Sequence, residues 1–445
     1  MCDCMLLHAG RKPITMTGKQ LSDGIKKTIR YAKRNGWRNA FYAAEERVKQ
    51  LRKRYQYEPP SADTLASQRT HIWVNAHKIS ILVPAYETNP AFLKELIESV
   101  RMQTYSNWEL IVADASAGDR VRDIVYPHTR EDARINYHRL GENKGISGNT
   151  NAGLNYVNGS YTVLLDHDDL LTPDAIYEMV CAAVKEPEAA LLYSDEDKCD
   201  EKTELFHTPH EKPDFDLDYF LTNNYICHLA MLKTDVLKNL RLRPEYDGAQ
   251  DYDLFLRVAS AGGRIVHVPK VLYHWRSHDQ STADHPESKS YAYEAGKRAL
   301  DDFYRRMGWA AHAEEDMHVG FYRTVYEEEL FAVRPKVGVV GGRIVHRGRV
   351  TGGAMKEDGT LIYGGLREQY SGYMNRAVLS QSVPALDLRC MSVRGELKEL
   401  YAEYDAQVQS GEKKVVDASL AFCEEVRRRG YLLIYSPSDL CYTER

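Results

Sequence analysis

The stretch Tyr161-Thr162-Val163-Leu164-Leu165-Asp166-His167-Asp168-Asp169 constrains the fold more than any other. β-Favouring residues and a Leu pair run directly into three carboxylates. A buried strand of a parallel sheet has this form, apolar on both faces and abruptly polar where it leaves the sheet. In open α/β sheets, ligands sit beyond the carboxyl ends of the strands. Three acidic side chains gathered there repel one another unless something positive holds them. A hard divalent cation suits oxygen ligands, and Mg²⁺ or Mn²⁺ in turn favours a diphosphate partner. The competing reading is a solvated acidic turn capping a helix that starts near Pro173, with Asp169 or Thr172 as N-cap.

The surroundings support a sheet. Ile79–Pro84 reads as a buried strand ended by proline, and Ala91–Gln103 as a helix. Trp108–Ala113 is the next strand and ends in Asp114. A helix around Val121–Tyr126, a strand Ile135–Leu140 and a helix entered through Gly145–Asn151 complete the approach to Tyr161. Alternating strands and helices predict an α/β fold with a doubly wound sheet. No G-x-G-x-x-G follows the first strand, which argues against a nicotinamide or flavin domain. No G-x-x-x-x-G-K-[ST] is present either, which argues against a P-loop.

A chain of 445 residues with 43% hydrophobic content has room for two or three domains and a real core. No window approaches the ~18 consecutive apolar residues of a membrane span, and the N-terminus lacks a signal-peptide pattern. The eight cysteines show no zinc spacing, Cys2 and Cys4 forming a lone C-x-C. They read as reduced thiols of a cytoplasmic protein. Net charge is −5, yet the first ~70 residues are basic and the remainder acidic. Residues 19–54 read as two basic helices broken at Asn35-Gly36, with Lys19, Lys26, Lys27, Arg30, Lys33, Arg34 and Arg38 crowding the first helix and its exit. This is either a helical hairpin with a solvated face or an attachment to an anionic membrane surface or lipid diphosphate. No nucleic-acid partner is expected.

Five motifs in order carry a resemblance. Val83-Pro84-Ala85-Tyr86-Glu87, Asp114-Ala115-Ser116, Gly145–Asn151, Leu165–Asp169 and Gly248-Ala249-Gln250-Asp251-Tyr252-Asp253 resemble family 2 glycosyltransferases over residues 78–282. Ser194-Asp195-Glu196-Asp197-Lys198 and Leu272-Tyr273-His274-Trp275-Arg276 resemble bacterial members that build rhamnans, O-antigens and other cell-surface polysaccharides. The resemblance implies a GT-A fold, a UDP-sugar or dTDP-sugar donor, Mg²⁺ or Mn²⁺, and inversion at the anomeric carbon. The acceptor it implies is a growing glycan or a polyprenyl-diphosphate-linked one, met at the cytoplasmic face of the membrane.

Roles follow residue by residue from that resemblance. Pro84, Ala85, Tyr86, Glu87, Asp114, Asn143, Gly145, Asn149, Asp166 and His167 would hold the donor. Asp114 would accept the N3–H of uracil or thymine, and an unpaired buried donor there would cost ~1–3 kcal/mol. Asp168 and His274 would bind the metal, with His278 competing for the histidine's place. Asp195, Glu196, Asp197 and Trp275 would meet the acceptor, near a segment containing Asn223, Asn224 and His228. Asp251 precedes an apolar helix, whose dipole favours the ionised form, and it would take the acceptor proton as general base. Asp253 reads as structural, since Arg257 lies four residues on.

The expected organisation is a basic extension over residues 1–70, a catalytic domain over 78–300, a connecting segment over 301–332 and a module over 333–445. Val337–Gly342, Gly364-Gly365-Leu366, Gly372-Tyr373 and Arg427–Tyr431 resemble the back half of a second glycosyltransferase domain. Asp417-Ala418-Ser419-Leu420 has Ser where the family has a second Asp. The module therefore reads as degenerate and non-catalytic: it would hold the acceptor chain, make a dimer or cover the first domain. The alternative for the whole chain is a pseudo-glycosyltransferase scaffold or glycan-binding subunit. A sugar nucleotidyltransferase would need a Gly-rich basic loop after the first strand, where Ala85–Asn89 stands.

Overall fold

The computed structural model describes residues 28–29, 31–33, 36–51, 55–74, 76–278, 290–437 and 441–443. Strands β1 (Ile79–Ala85) and β2 (Trp108–Asp114) are buried at every position, as a strand covered on both faces must be. They pair in parallel, β3 (Ile135–Arg139) adds to β2, and β4 (Tyr161–Leu164) adds to the far side of β1. Parallel pairing demands crossovers. These are the helices Pro90–Arg101, Arg120–Glu131 and Gly145–Gly153. The register sets Ala85 beside Asp114 and Leu82 beside Leu164, so the chain leaves β1, β2 and β4 along one edge.

The doubly wound pattern holds for these four strands only. Past β4 the sheet is mixed. β8 (Ala230–Lys233) runs antiparallel to both β4 and β6 (Ala189–Cys199). β9 (Arg264–Arg276) runs parallel to β6 and carries the short β5 (Leu170–Leu171) on its outer side. β7 (Phe206–His210) pairs with the end of β6. The spatial order is β3-β2-β1-β4-β8-β6-β9-β5.

From sequence, Ala190–Ser194 reads as a strand ended by Asp195, Glu196 and Asp197, and the structure corrects that boundary. Ser194 does not end its strand. Register shifts between Ser194 and Asp195 and between Asp195 and Glu196 carry β6 on to Cys199. Bulges of this kind bend a strand without ending its pairing. Asp195, Glu196 and Asp197 therefore lie inside the sheet. Ile265–Val268 and Val271–Tyr273, which read from sequence as a strand and a separate segment before His274, belong to the single strand β9.

The C-terminal part has its own four-stranded sheet: Gln381–Ser382, Leu432–Tyr435, Val337–Gly341 and Met391–Val393, in that order. The helix Val415–Arg428 covers it and buries Ala418, Phe422, Cys423 and Val426 in a core with Val339 and Leu433. This part docks on residues 216–219. The Arg334 guanidinium lies 2.7 Å from Asp218, with both side chains at most 6% exposed. The Ser382 N–H donates to Asp216 at 2.7 Å. The helix Trp37–Leu51 lies against the same part, where the Glu46 carboxylate accepts the Ser371 and Gly372 N–H groups at 3.0 and 2.7 Å.

Gly36, at φ +83°, stands at the expected helix break. Of the basic residues read as either a solvated face or a membrane attachment, Lys33 and Arg38 are described and exposed, while Lys19, Lys26, Lys27, Arg30 and Arg34 lie outside the described residues. Cys2 and Cys4 do too. Among the described residues no helix is long and apolar enough to cross a membrane.

Candidate active site

The chain emerges from β4 at Leu165 and turns through Asp166–Asp169 before re-entering the sheet as β5. That tight return separates the three carboxylates. The Asp166 side chain is about half exposed (49%). Asp169 is buried, and its carboxylate accepts from the Arg276 N–H at 2.7 Å and the Tyr273 hydroxyl at 2.5 Å. Burial, then the charges of Asp168 and Asp166, push the Asp169 carboxyl well above the usual range. Asp168 goes the other way. Burial alone would raise its pKa, but the His278 hydrogen bond and the His167 and His278 rings hold it below its ordinary value.

Antiparallel pairing of β4 with β8 sets Leu164 opposite Ala230. Continued two residues past each strand, that register brings His228 beside Asp166. The His228 Nε2 lies 3.8 Å from the Asp166 carboxylate. Asp166, Asp169 and His228 each offer a ligand atom, all within 4.8 Å of one another. Two carboxylates and an imidazole form a donor set suited to a borderline divalent ion such as Mn²⁺. After burial, the charges of Asp168 and Asp166 raise the Asp169 carboxyl, and a bound cation would offset that repulsion. A buried Nδ1 of His167 with no hydrogen-bond partner adds an unsatisfied polar atom in the same turn. The residues present thus fit a divalent cation.

This arrangement differs from the Asp168–His274 pair expected from sequence. His274 faces Asp197 across the β6–β9 register, its Nδ1 2.5 Å from that carboxylate, and Tyr57 and Phe206 enclose the ring. His278, two residues past the end of β9, brings Nε2 to 2.8 Å from Asp168.

The acceptor assignments change for the same reason. Asp195, Glu196 and Asp197 are at most 6% exposed and are bonded within the protein. Asp195 accepts from the Lys212 N–H and pairs with His267, each at 2.8 Å. Asp197 accepts from the Tyr55 hydroxyl at 2.8 Å as well as facing His274. Glu196 accepts from the His228 N–H at 3.2 Å. These carboxylates brace histidines instead of lining an open groove. Trp275 does reach the site: its ring meets His228 edge-on at 5.7 Å, and Lys198 lies over it at 4.6 Å.

A small cavity, about 60 Å³, separates the acidic turn from the helix Gln250–Ser260. Asp166, His228 and Cys227 line it together with Gln250, Asp251, Pro84 and Leu164. Asp251 occupies the second position of its helix, and Asn224 Nδ2 donates to its Oδ2 at 2.7 Å. The helix terminus does not decide its ionisation. Burial pushes the Asp251 carboxyl above the ordinary value, against the lowering effects of His228, the Tyr252 N–H and Asn224. A carboxylate raised in this way is a stronger base once ionised. Asp253 is structural as expected, held by Arg257 at 2.8 Å and by Arg243.

Asp114 lies at the end of β2, fully buried, with its oxygens accepting from the Ser116 N–H at 2.9 Å and the Tyr137 hydroxyl at 2.7 Å. Each carboxylate oxygen keeps a second lone pair. Glu87, at φ +47°, ties the β1 exit to the same loop: its N–H donates to Ser116 and its carboxylate accepts from Ala117 N–H. Ala85 is buried, and Tyr86 is exposed above it. Asn143 and Asn149 serve the turn itself. Asn143 Oδ1 accepts from the Gly145 N–H and from Asn149, while Asn149 Oδ1 accepts from the Lys144 N–H. Gly145 has φ +75°, and a Cβ there would stand 2.6 Å from the Asp247 carboxylate. His228 is the residue that sequence reasoning placed with the acceptor and the structure places on the acidic turn.

Residues 80–241 match the family model for glycosyl transferase family 2. The chain is 39% identical over 236 residues to the uncharacterized protein y4gI of Sinorhizobium fredii, covering 52% of this chain and 26% of that protein. It is 32% identical over 266 residues to the O-antigen biosynthesis protein RfbC of Myxococcus xanthus, covering 59% and 20%. It is 27% identical over 207 residues to the chondroitin synthase of Escherichia coli, covering 46% and 30%. The chain thus spans less than a third of the length of each of these relatives. Among solved structures, Staphylococcus aureus TarS (residues 1–349) overlays with a TM-score of 0.38 at 18% identity, over 52% of this chain and 71% of that one. The matched segment runs from β1 through the acidic turn to β8 and the helix after it, so residues 80–241 are a domain of glycosyl transferase family 2 and their sheet is a GT-A fold.

Proposed function

We propose that the protein is an inverting, divalent-cation-dependent glycosyltransferase that moves a sugar from a UDP- or dTDP-sugar to a hydroxyl of a cell-surface polysaccharide or lipid-linked glycan. One observation carries the reading: a single cavity is lined both by Asp166 and His228, two members of the Asp166–Asp169–His228 cluster, and by Asp251. A leaving diphosphate needs positive charge on one side, and an attacking hydroxyl needs a base on the other. The acceptor oxygen forms its bond to C1 as the C1–O bond to the diphosphate breaks, and its proton passes to Asp251. Attack from the face opposite the leaving group inverts the anomeric centre. A cation held by Asp166, Asp169 and His228 would supply Lewis-acid neutralisation of the departing diphosphate. Asp114, with a lone pair left on each oxygen, supports recognition of a pyrimidine N3–H, and Trp275 offers an aromatic face to the acceptor sugar.

In this reading residues 333–445 are a non-catalytic module, since Asp166, Asp169 and His228 form the sole candidate metal cluster among the described residues. A membrane-linked acceptor is supported by the basic N-terminal sequence and by Trp37 and Phe41, which are 69% and 65% exposed on the helix Trp37–Leu51. The test is calorimetry with UDP and dTDP, with and without Mn²⁺, on wild type and Asp166→Ala. Mn²⁺ should strengthen pyrimidine-nucleotide binding in the wild type and have little effect in the variant. Equal binding of GDP, or binding indifferent to EDTA, would reject the proposal.

A further inference from the structure

Lysine is seldom buried without a task, because its ammonium loses hydration that only several acceptors restore. The Lys212 side chain is fully buried. Its three N–H donors have three acceptors: the Ile226 carbonyl at 2.7 Å, the His228 carbonyl, and the Glu196 carboxylate at 3.4 Å. Glu196 is itself buried, and the oxygen facing Lys212 also accepts the His228 N–H at 3.2 Å. His210 closes the arrangement at 3.4 Å from the other oxygen. One ion pair therefore grips the backbone of residues 226–228 by its carbonyls and by an N–H.

The gripped segment needs holding. Cys227 has φ +39°, left-handed backbone that a side chain disfavours. Such conformations persist where their surroundings over-determine them. The result of this one is the placement of His228. Its ring stacks on Tyr273 at 4.7 Å with 14° between planes and points Nε2 at Asp166. The burial of a charged pair rarely stabilises a fold more than apolar side chains of equal volume would, so stability alone gives no reason for an ion pair at this spot.

We infer that the Lys212–Glu196 pair is a positioning device for the proposed transfer, aiming the His228 imidazole at the acidic turn where the donor diphosphate and its cation would sit. The inference rests on the reading of Asp166, Asp169 and His228 as that site. Neither residue touches the reacting atoms. Both act through His228.

The test replaces the pair in steps. Lys212→Met or Glu196→Gln alone strands a buried partner, and either variant can fail by unfolding. The double variant Lys212→Met/Glu196→Leu leaves no stranded charge and keeps the volume. It should fold with a cooperative melt, yet bind Mn²⁺ and UDP at least ten-fold more weakly than wild type, close to the level of His228→Ala. The ring-proton shifts of His228, displaced in the wild type by stacking on Tyr273, should move toward unstacked values. A folded double variant with wild-type Mn²⁺ and UDP affinity and unmoved His228 shifts would overturn the inference. Should the double variant itself unfold, the pair would be structural and the inference would fall as well. If the wild type binds neither Mn²⁺ nor UDP, the site reading fails, and the ring shifts still decide whether the pair positions His228.

Discussion

Asp251→Asn separates the base from everything around it. The amide keeps the shape of the side chain at the second position of its helix and can still accept the Asn224 Nδ2–H that now sits 2.7 Å from Oδ2. Burial already holds the Asp251 carboxyl above the ordinary range, so a neutral amide in the same enclosure costs the fold little. What is lost is proton acceptance. General-base catalysis is worth about 10²–10⁴-fold, and at 1.36 kcal/mol per factor of ten that is about 3–5 kcal/mol of barrier. Donor binding should hardly change, because the substitution leaves Asp166, Asp169 and His228 whole. The assay pairs calorimetric UDP or dTDP affinity with single-turnover transfer from a labelled donor. The expected variant binds donor within about two-fold of wild type and transfers at least ~10²-fold more slowly. Wild-type transfer in a folded Asp251→Asn protein would refute the assignment of the base.

Glu196 carries a pH signature. Burial works against its ionisation, but Lys212, His210 and His228 prevail and bring its pKa from 4.5 down to about 2. A depressed carboxylate contributes stability that is present above about 4.5 and lost as pH falls toward 2. The shift corresponds to about 3 kcal/mol, so the denaturant-measured gap between wild type and Glu196→Gln should close by about that amount over this window; a constant gap would reject the pairing. Removing Asp218 as Asp218→Asn leaves the Arg334 guanidinium buried without its ion-pair partner and should cost about 3–5 kcal/mol, read as earlier release of residues 333–445 to limited proteolysis. An unchanged cleavage pattern would mean that the docking does not depend on that pair. Gly145→Ala forces a Cβ into left-handed backbone 2.6 Å from Asp247 and should destabilise by at least about 1–2 kcal/mol, whereas Gly141→Ala, with open space around it, should be near neutral; equal melting of the two would contradict the geometry.

What was legible in the sequence was local. The apolar run that meets Asp166, the β1 and β2 exits at Pro84 and Asp114, and the helix opening at Asp251 each show a change of chemistry within a few residues, and each stands where the alternation placed it. What was not legible depends on pairing between distant segments. No local signal at His228 announces its partner; it follows from the antiparallel register of Leu164 with Ala230, across some 60 residues of chain. The same limit explains the exchange of His274 for His278. A histidine within β9 has its place fixed by the strand opposite, and Asp197 stands there. That pairing exists because bulges carry β6 past Asp195 and Glu196, which a motif ending in carboxylates gives no cause to expect. Once β6 continues, its acids must find partners in the sheet, and the histidines of β7 and β9 and the neighbouring Lys212 supply them. Only a histidine beyond the strand end, as His278 is, remains able to turn back to Asp168. The arrangement of the candidate site is thus decided by where two strands stop.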